Sequence, residues 1–164
     1  MEILRTVFFV LPSRVGSYLA WLPPLAARVA VGWTFMLTGW GKLHDLDSVI
    51  GFFRELGIPY PELQAPFVAS VELVCGTLLL IGLFTRIAAL PLIGTMVVAI
   101  ATAQWKDVSS FGDLYGLVEF LYIILFAWIA TAGPGPVAVD TLVERALAGE
   151  SSSSPAVSSA RSFA

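Results

Sequence analysis

The sequence predicts an all-α integral membrane protein: a four-helix bundle with a short amphipathic helix between its first and second spans. Three observations predict it. Hydrophobic residues make up 57% of the 164 and charged residues 13%, with a mean hydropathy of +0.85. Soluble domains run at about 45–50% apolar and about 25% charged. A soluble chain of this length cannot bury so much apolar surface, and lipid as the solvent removes the conflict. Four apolar stretches approach the roughly 20 residues that a span requires. Three of them carry one ionisable residue well inside: Arg28, Glu72 and Glu119. A charge facing lipid costs at least about 2.5–3.5 kcal/mol, so such residues face a bundle interior, pair with one another, or line a site.

Residues 1–21 read as an interfacial or cytoplasmic leader. The apolar run Val7–Leu11 is too short for the core of a signal peptide and is cut by Pro12 and Arg14. Residues 22–142 read as one four-span membrane domain. Its first span, Pro23 to Leu43, opens on two prolines, whose missing N–H groups fall where a helix has no partner for them. The segment His44 to Pro61 holds the amphipathic helix. Asp47 is a candidate cap, Val49, Ile50, Phe52, Phe53 and Leu56 crowd one side, and Gly57 and Pro59 stop it. Two roles are open to this helix: lying on the membrane surface, or closing over a polar site. The second span, Leu63 to Phe84, turns through Thr85-Arg86 into the third, Ile87 to Gln104, so these two are antiparallel neighbours. The fourth, Leu114 to Ala132, ends at Gly133-Pro134-Gly135-Pro136, a string that cannot continue a helix. Residues 143–164 read as the end of a short helix followed by a disordered Ser-rich tail.

Four spans place both termini on one side. That side holds Arg5, Arg14, Arg86 and Arg145 against Lys42, Arg54 and Lys106 on the other, which predicts cytoplasmic termini. Net charge is −3 without a basic run, so nucleic acid is not a partner. One cysteine, Cys75, and one histidine, His44, cannot build a zinc site, an iron–sulfur cluster or a bis-His haem within one chain. No metal is expected from this chain alone. The lipid bilayer is the expected surrounding, and a homo-oligomer is left open.

The ionisable residues carry the functional reading. Arg28, Gly32, Phe35, Gly39 and Lys42 recur every three or four residues and form one stripe of the first span, with two glycines between two cations. Glu72 lies about 13 Å into the second span and Glu119 about 7 Å into the fourth from the same surface. Gly76, one turn on, leaves room beside Glu72. Two carboxylates and two cations are expected to form one neutral network. Glu72 and Glu119 are the candidate catalytic or proton-handling groups, with Arg28 and Lys42 as counter-ions or ligand contacts. Trp40 and His44 are further ligand-binding candidates, one for stacking and one for titration near neutral pH. A fully paired, dry cluster points to a structural helper, whereas a cavity with a free carboxylate points to a ligand or a transport path.

These residues resemble the DoxX family of small four-helix membrane proteins. The resemblance rests on Arg28, Gly39-Trp40-Gly41-Lys42-Leu43 and Gly57-Ile58-Pro59-Tyr60-Pro61. It continues through Glu72-Leu73, Gly76, Gly82-Leu83-Phe84-Thr85-Arg86, Glu119, Gly133-Pro134-Gly135 and Asp140. It implies a bundle in the bacterial cytoplasmic membrane and a place as a small subunit of a quinone-linked thiosulfate-oxidising or terminal quinol oxidase system. A quinone is the implied cofactor, and other membrane redox subunits are the implied partners. Gly39, Pro59, Gly76, Gly82, Arg86, Gly133 and Asp140 are the matching motif positions. This chain departs from the family pattern in having Gln104-Trp105 where many members have a histidine, and Cys75 where many have glycine.

Overall fold

A computed structural model describes residues 18–135 and 137–151. Among them there is no strand. The helices are α1 (Leu22–His44), α2 (Leu46–Glu55), α3 (Pro61–Ile81), α4 (Thr85–Ala99), α5 (Phe111–Gly116), α6 (Val118–Ala132) and α7 (Val139–Ser151). A π-helical turn, Ile100–Gln104, and a 3₁₀ turn, Trp105–Asp107, extend α4. Residues 1–17 of the expected leader and 152–164 of the expected tail lie outside the described residues.

The glycine stripe does what its spacing implies. α1 lies along α3 with backbones in contact. A Cβ on Gly32 would meet the backbone of Leu80 at 2.7 Å, and one on Gly39 would overlap the Leu73 nitrogen and sit 2.7 Å from the Ala69 carbonyl oxygen. Gly76 answers from α3 against Phe35 and Met36. Gly39→Ala is therefore expected to destabilise by about 1–3 kcal/mol, as overpacking does. Thermal unfolding in detergent reads the loss. Gly41→Ala, a position with open space around it, is expected to match the wild type.

α4 packs on α3 and α6. Val31, Phe35, Leu79, Leu92, Phe126 and Ile129 meet in one core. Phe35 closes α1 against α6 by edge contacts to Tyr122 and Phe126, at centroid distances of 5.1 and 5.0 Å. Two helical stretches, Pro61–Ile81 and Thr85–Gln104, are long and apolar enough to cross a membrane. α1 matches them in length at 23 residues, while α6 has 15. Trp33, Leu63, Phe67, Ile87, Leu90 and Trp105 each expose more than half their surface. An apolar exterior of this extent belongs against lipid rather than water.

Five boundaries differ from the sequence expectation. α2 starts at Leu46, so Asp47 sits inside its first turn rather than capping it. The turn between the second and third expected spans falls at residues 82–84, and Thr85 and Arg86 belong to α4. The last turn of the third expected span is π-helical. The fourth expected span begins at Val118, because Leu117 is extended (φ −76°, ψ 130°). Upstream of it, Ser110 and Asp113 form a reciprocal cap that makes α5 a separate turn. The terminal helix starts at Val139 and runs through Gly149 to Ser151. In the α5 cap, the Asp113 carboxyl is held below the usual range by the backbone N–H groups of Ser109 and Ser110 and by the Ser110 hydroxyl. Its pKa in the folded state lies below the unfolded one. The cap therefore stabilises fully above the ordinary carboxylate range and fades as pH falls through the lowered value. The amide proton shifts of Ser109 and Ser110 are expected to titrate together below that range in NMR spectra. Shifts that follow an unperturbed carboxylate would contradict this.

Candidate functional site

The polar residues gather at two ends of the helices. At the first end, the C-terminal half of α1, the N-terminal halves of α3 and α6, and the end of α4 surround a cavity of about 770 Å³. Ligand sites run at about 300–1,000 Å³, mostly apolar with a few convergent polar groups. Phe35, Val68, Val71, Met96 and Val98 supply apolar wall. Val49, Phe52 and Phe53 of α2, with Leu56 just after it, cover one side, so the apolar side of the amphipathic helix faces this cavity. None of the α2 residues is fully buried. An outward ion pair, Arg54 to Glu62 at 2.7 Å, ties α2 to the start of α3.

Lys42 and Glu72 meet on the cavity wall. Lys42 Nζ donates to Glu72 Oε1 at 2.6 Å. Glu72 is 1% exposed, and its other oxygen, Oε2, has no hydrogen-bond partner among the described residues. Glu119 lines the same cavity. It makes no ion pair with Lys42 or any other cation among the described residues.

The expected single network is divided, and Arg28 is not the counter-ion of Glu72. Fourteen residues of α1 separate Arg28 from Lys42, about 21 Å along a helix. Arg28 is buried at the opposite end. Its Nη1 donates to the Pro134 carbonyl at 2.7 Å and its Nη2 to the Val137 carbonyl at 2.6 Å. The planar guanidinium fork suits two neighbouring carbonyls, and the connection between α6 and α7 presents both.

That second end collects most of the motif positions. Asp140 accepts from the backbone N–H groups of Phe84 (2.7 Å) and Thr85 (2.9 Å), and its own N–H donates to the Gly82 carbonyl at 2.9 Å. Asp140 thus caps α4 from a distance, where no residue at the start of that helix supplies a side-chain cap. Gly82 has φ +75°, and a Cβ there would lie 2.6 Å from the Arg28 guanidinium. Gly133 has φ +88°, and a Cβ there would lie 2.8 Å from the Arg86 guanidinium. Side chains at either position would be strained and would collide. These residues form a clamp between the α3–α4 turn, α1 and the start of α7.

The other candidates lie apart from the cavity wall. Trp40 is 56% exposed and packs on His44 at a centroid distance of 4.3 Å. His44 Nδ1 lies 2.8 Å from the Trp40 carbonyl. Pro59 ends the α2–α3 loop, where its carbonyl accepts from Gln64 at 2.6 Å. Gln104 closes the π turn with no side-chain hydrogen bond among the described residues, and Cys75 is buried and unbridged.

Sequence reasoning passed over several cavity residues: Thr34, Thr38, Gln64, Thr95, Thr102 and Tyr122. Thr34 and Thr38 stand one turn apart on α1, and that spacing was the available signal. Thr102 sits in the π turn, a feature often found at functional sites and without a signature in this sequence.

An all-helical chain with an apolar exterior and a cavity holding buried charge is an integral membrane protein. The chain belongs to the DoxX family, whose model matches residues 24–105, from the start of α1 to the 3₁₀ turn. Glu119, Gly133 and Asp140 lie beyond the matched segment. The chain is 34% identical to an uncharacterised membrane protein of Mycobacterium tuberculosis, over 72% of this chain and 80% of that one. It is 32% identical to CatD of Bacillus subtilis, named provisionally as an oxidoreductase, over 73% and 85% of the two chains. It is 29% identical to the inner membrane protein YphA of Escherichia coli, over 71% and 86%. No solved structure matches it.

Proposed function

We propose that this DoxX-family protein is a quinone-interacting, accessory component of a redox system in the bacterial cytoplasmic membrane, with four spans and both termini in the cytoplasm. The carrying observation is the Lys42–Glu72 pair on the wall of an apolar cavity of about 770 Å³ that α2 covers. A quinone needs an apolar slot and hydrogen-bond partners rather than metal ligands. Among the described residues, no group of His, Cys, Asp and Glu could hold a metal. The residues on this wall suit such a ring. Lys42 carries ammonium protons beyond the one given to Glu72, and Glu72 Oε2 is an unused acceptor. Phe35, Phe52 and Tyr122 offer flat apolar surface. A bound quinone would supply a ring that takes up and releases electrons together with protons.

The chain's own part is to bind, orient and exclude water. Lys42 would donate to a ring oxygen. Glu72 would hold Lys42 in place through Oε1 and offer Oε2 to a proton. Glu119, on the same cavity, is the second carboxylate within reach of a proton path. A purely structural helper would have its charges fully paired, and the free Glu72 oxygen and the unpaired Glu119 favour a ligand instead. The name of CatD as a provisional oxidoreductase is in keeping with this reading. Mass spectrometry of lipids co-purified with the full chain tests it: a quinone enriched over the bulk membrane is expected, and quinone at the bulk ratio would overturn it.

A further inference from the structure

We infer that the cavity also takes a lipophilic organic cation, a ring-bearing apolar body with one positive charge, and that Glu119 recognises the charge. Three charged side chains line the cavity: the Lys42 ammonium and the carboxylates of Glu72 and Glu119. Lys42 is given to Glu72 at 2.6 Å. Among the described residues, Lys106 does not line the cavity and three other cations are engaged elsewhere. Arg28 holds carbonyls at the far end, Arg86 packs over Gly133, and Arg54 pairs with Glu62 on the outside. No described cation lies within ion-pair distance of Glu119. The cavity therefore has one acid more than its bases can compensate.

An uncompensated carboxylate beside apolar wall is costly, and a cationic ligand removes that cost where a neutral one does not. A second observation points the same way. Glu72 is 1% exposed, and its Oε2 is without a partner, so even the paired acid keeps acceptor capacity on this wall. The rings of Phe35, Phe52, Phe53 and Tyr122 line the space between, and aromatic faces attract a desolvated cation. The inference shares the cavity with the quinone reading but does not depend on it.

Equilibrium dialysis of the full chain in nanodiscs tests it, with methyltriphenylphosphonium as the cation and triphenylphosphine oxide as its neutral isostere. Menadione serves as the quinone probe in the same preparations. The cation is expected to bind about tenfold tighter than the neutral isostere, the size of one desolvated cation contact. Glu119→Gln is expected to abolish that preference and leave triphenylphosphine oxide binding unchanged, while Glu119→Asp keeps it. Equal affinities for the two probes, or a preference that survives in Glu119→Gln, would overturn the inference. Loss of menadione binding with the cation preference intact would support it and sink the quinone reading alone.

Discussion

Lys42→Met is expected to destabilise the folded protein by about 3–5 kcal/mol, the usual result of removing one partner from a buried ion pair. The size follows from the asymmetry of the pair. The Lys42 side chain is 30% exposed, but that of Glu72 is 2% exposed. Removing Lys42 leaves Glu72 with neither oxygen partnered among the described residues, since Oε2 already lacks one. Replacing both members by apolar side chains is far less damaging than breaking the pair. The double variant Lys42→Met/Glu72→Leu is therefore expected to recover most of the lost stability. Thermal unfolding of the single and double variants in one detergent gives the coupling. Additive losses would show that the two residues do not depend on each other.

Asp140→Ala is the second large effect, at about 2–4 kcal/mol, from two charge-assisted hydrogen bonds lost together. Its carboxylate holds the N–H groups of Phe84 and Thr85. Phe84 has φ +49°, a left-handed conformation that costs a non-glycine residue of order 1 kcal/mol or more. Asp140 helps to keep that strained turn between α3 and α4 in place. In the Asp140→Ala background, Phe84→Gly is expected to recover part of the loss by relieving the strain. Unfolding midpoints read both. The clamp lies at the end opposite the cavity, so ligand binding at Lys42 and Glu72 is expected to survive in any Asp140 variant that still folds.

The contrast between these two ends explains how far the sequence could be read. The helices were legible because Pro23, Pro61 and Gly133 punctuate long apolar runs, and the stripe of Gly32 and Gly39 announced a close neighbour. The burial of Arg28 and Glu72 was legible too, since a charge inside an apolar run must face inward. Partner choice was not. Helical rise gave depth but not azimuth, and depth alone allowed Arg28 to be drawn toward Glu72. The carbonyls that Arg28 holds belong to a turn more than a hundred residues away in sequence, and nothing local to Pro134 or Val137 marks them as acceptors. The break at Leu117 was hidden by the apolar run around it, although Ser110 and Asp113 three residues apart signalled a helix start just before. The π turn depends on packing rather than on residue type. The role of α2 lay between: its amphipathic pattern was plain, but only the fold shows its apolar side facing the cavity.

In the proposed function, Lys42 and Glu72 form a ligand site rather than a buried tie between helices. Binding of menadione to the purified full chain in nanodiscs, compared between wild type and Glu72→Gln, tests that most directly. Saturable binding to the wild type, weakened about tenfold or more in Glu72→Gln at unchanged helix content, is the predicted result. No saturable binding to the wild type, or equal affinity in the two proteins, would contradict it.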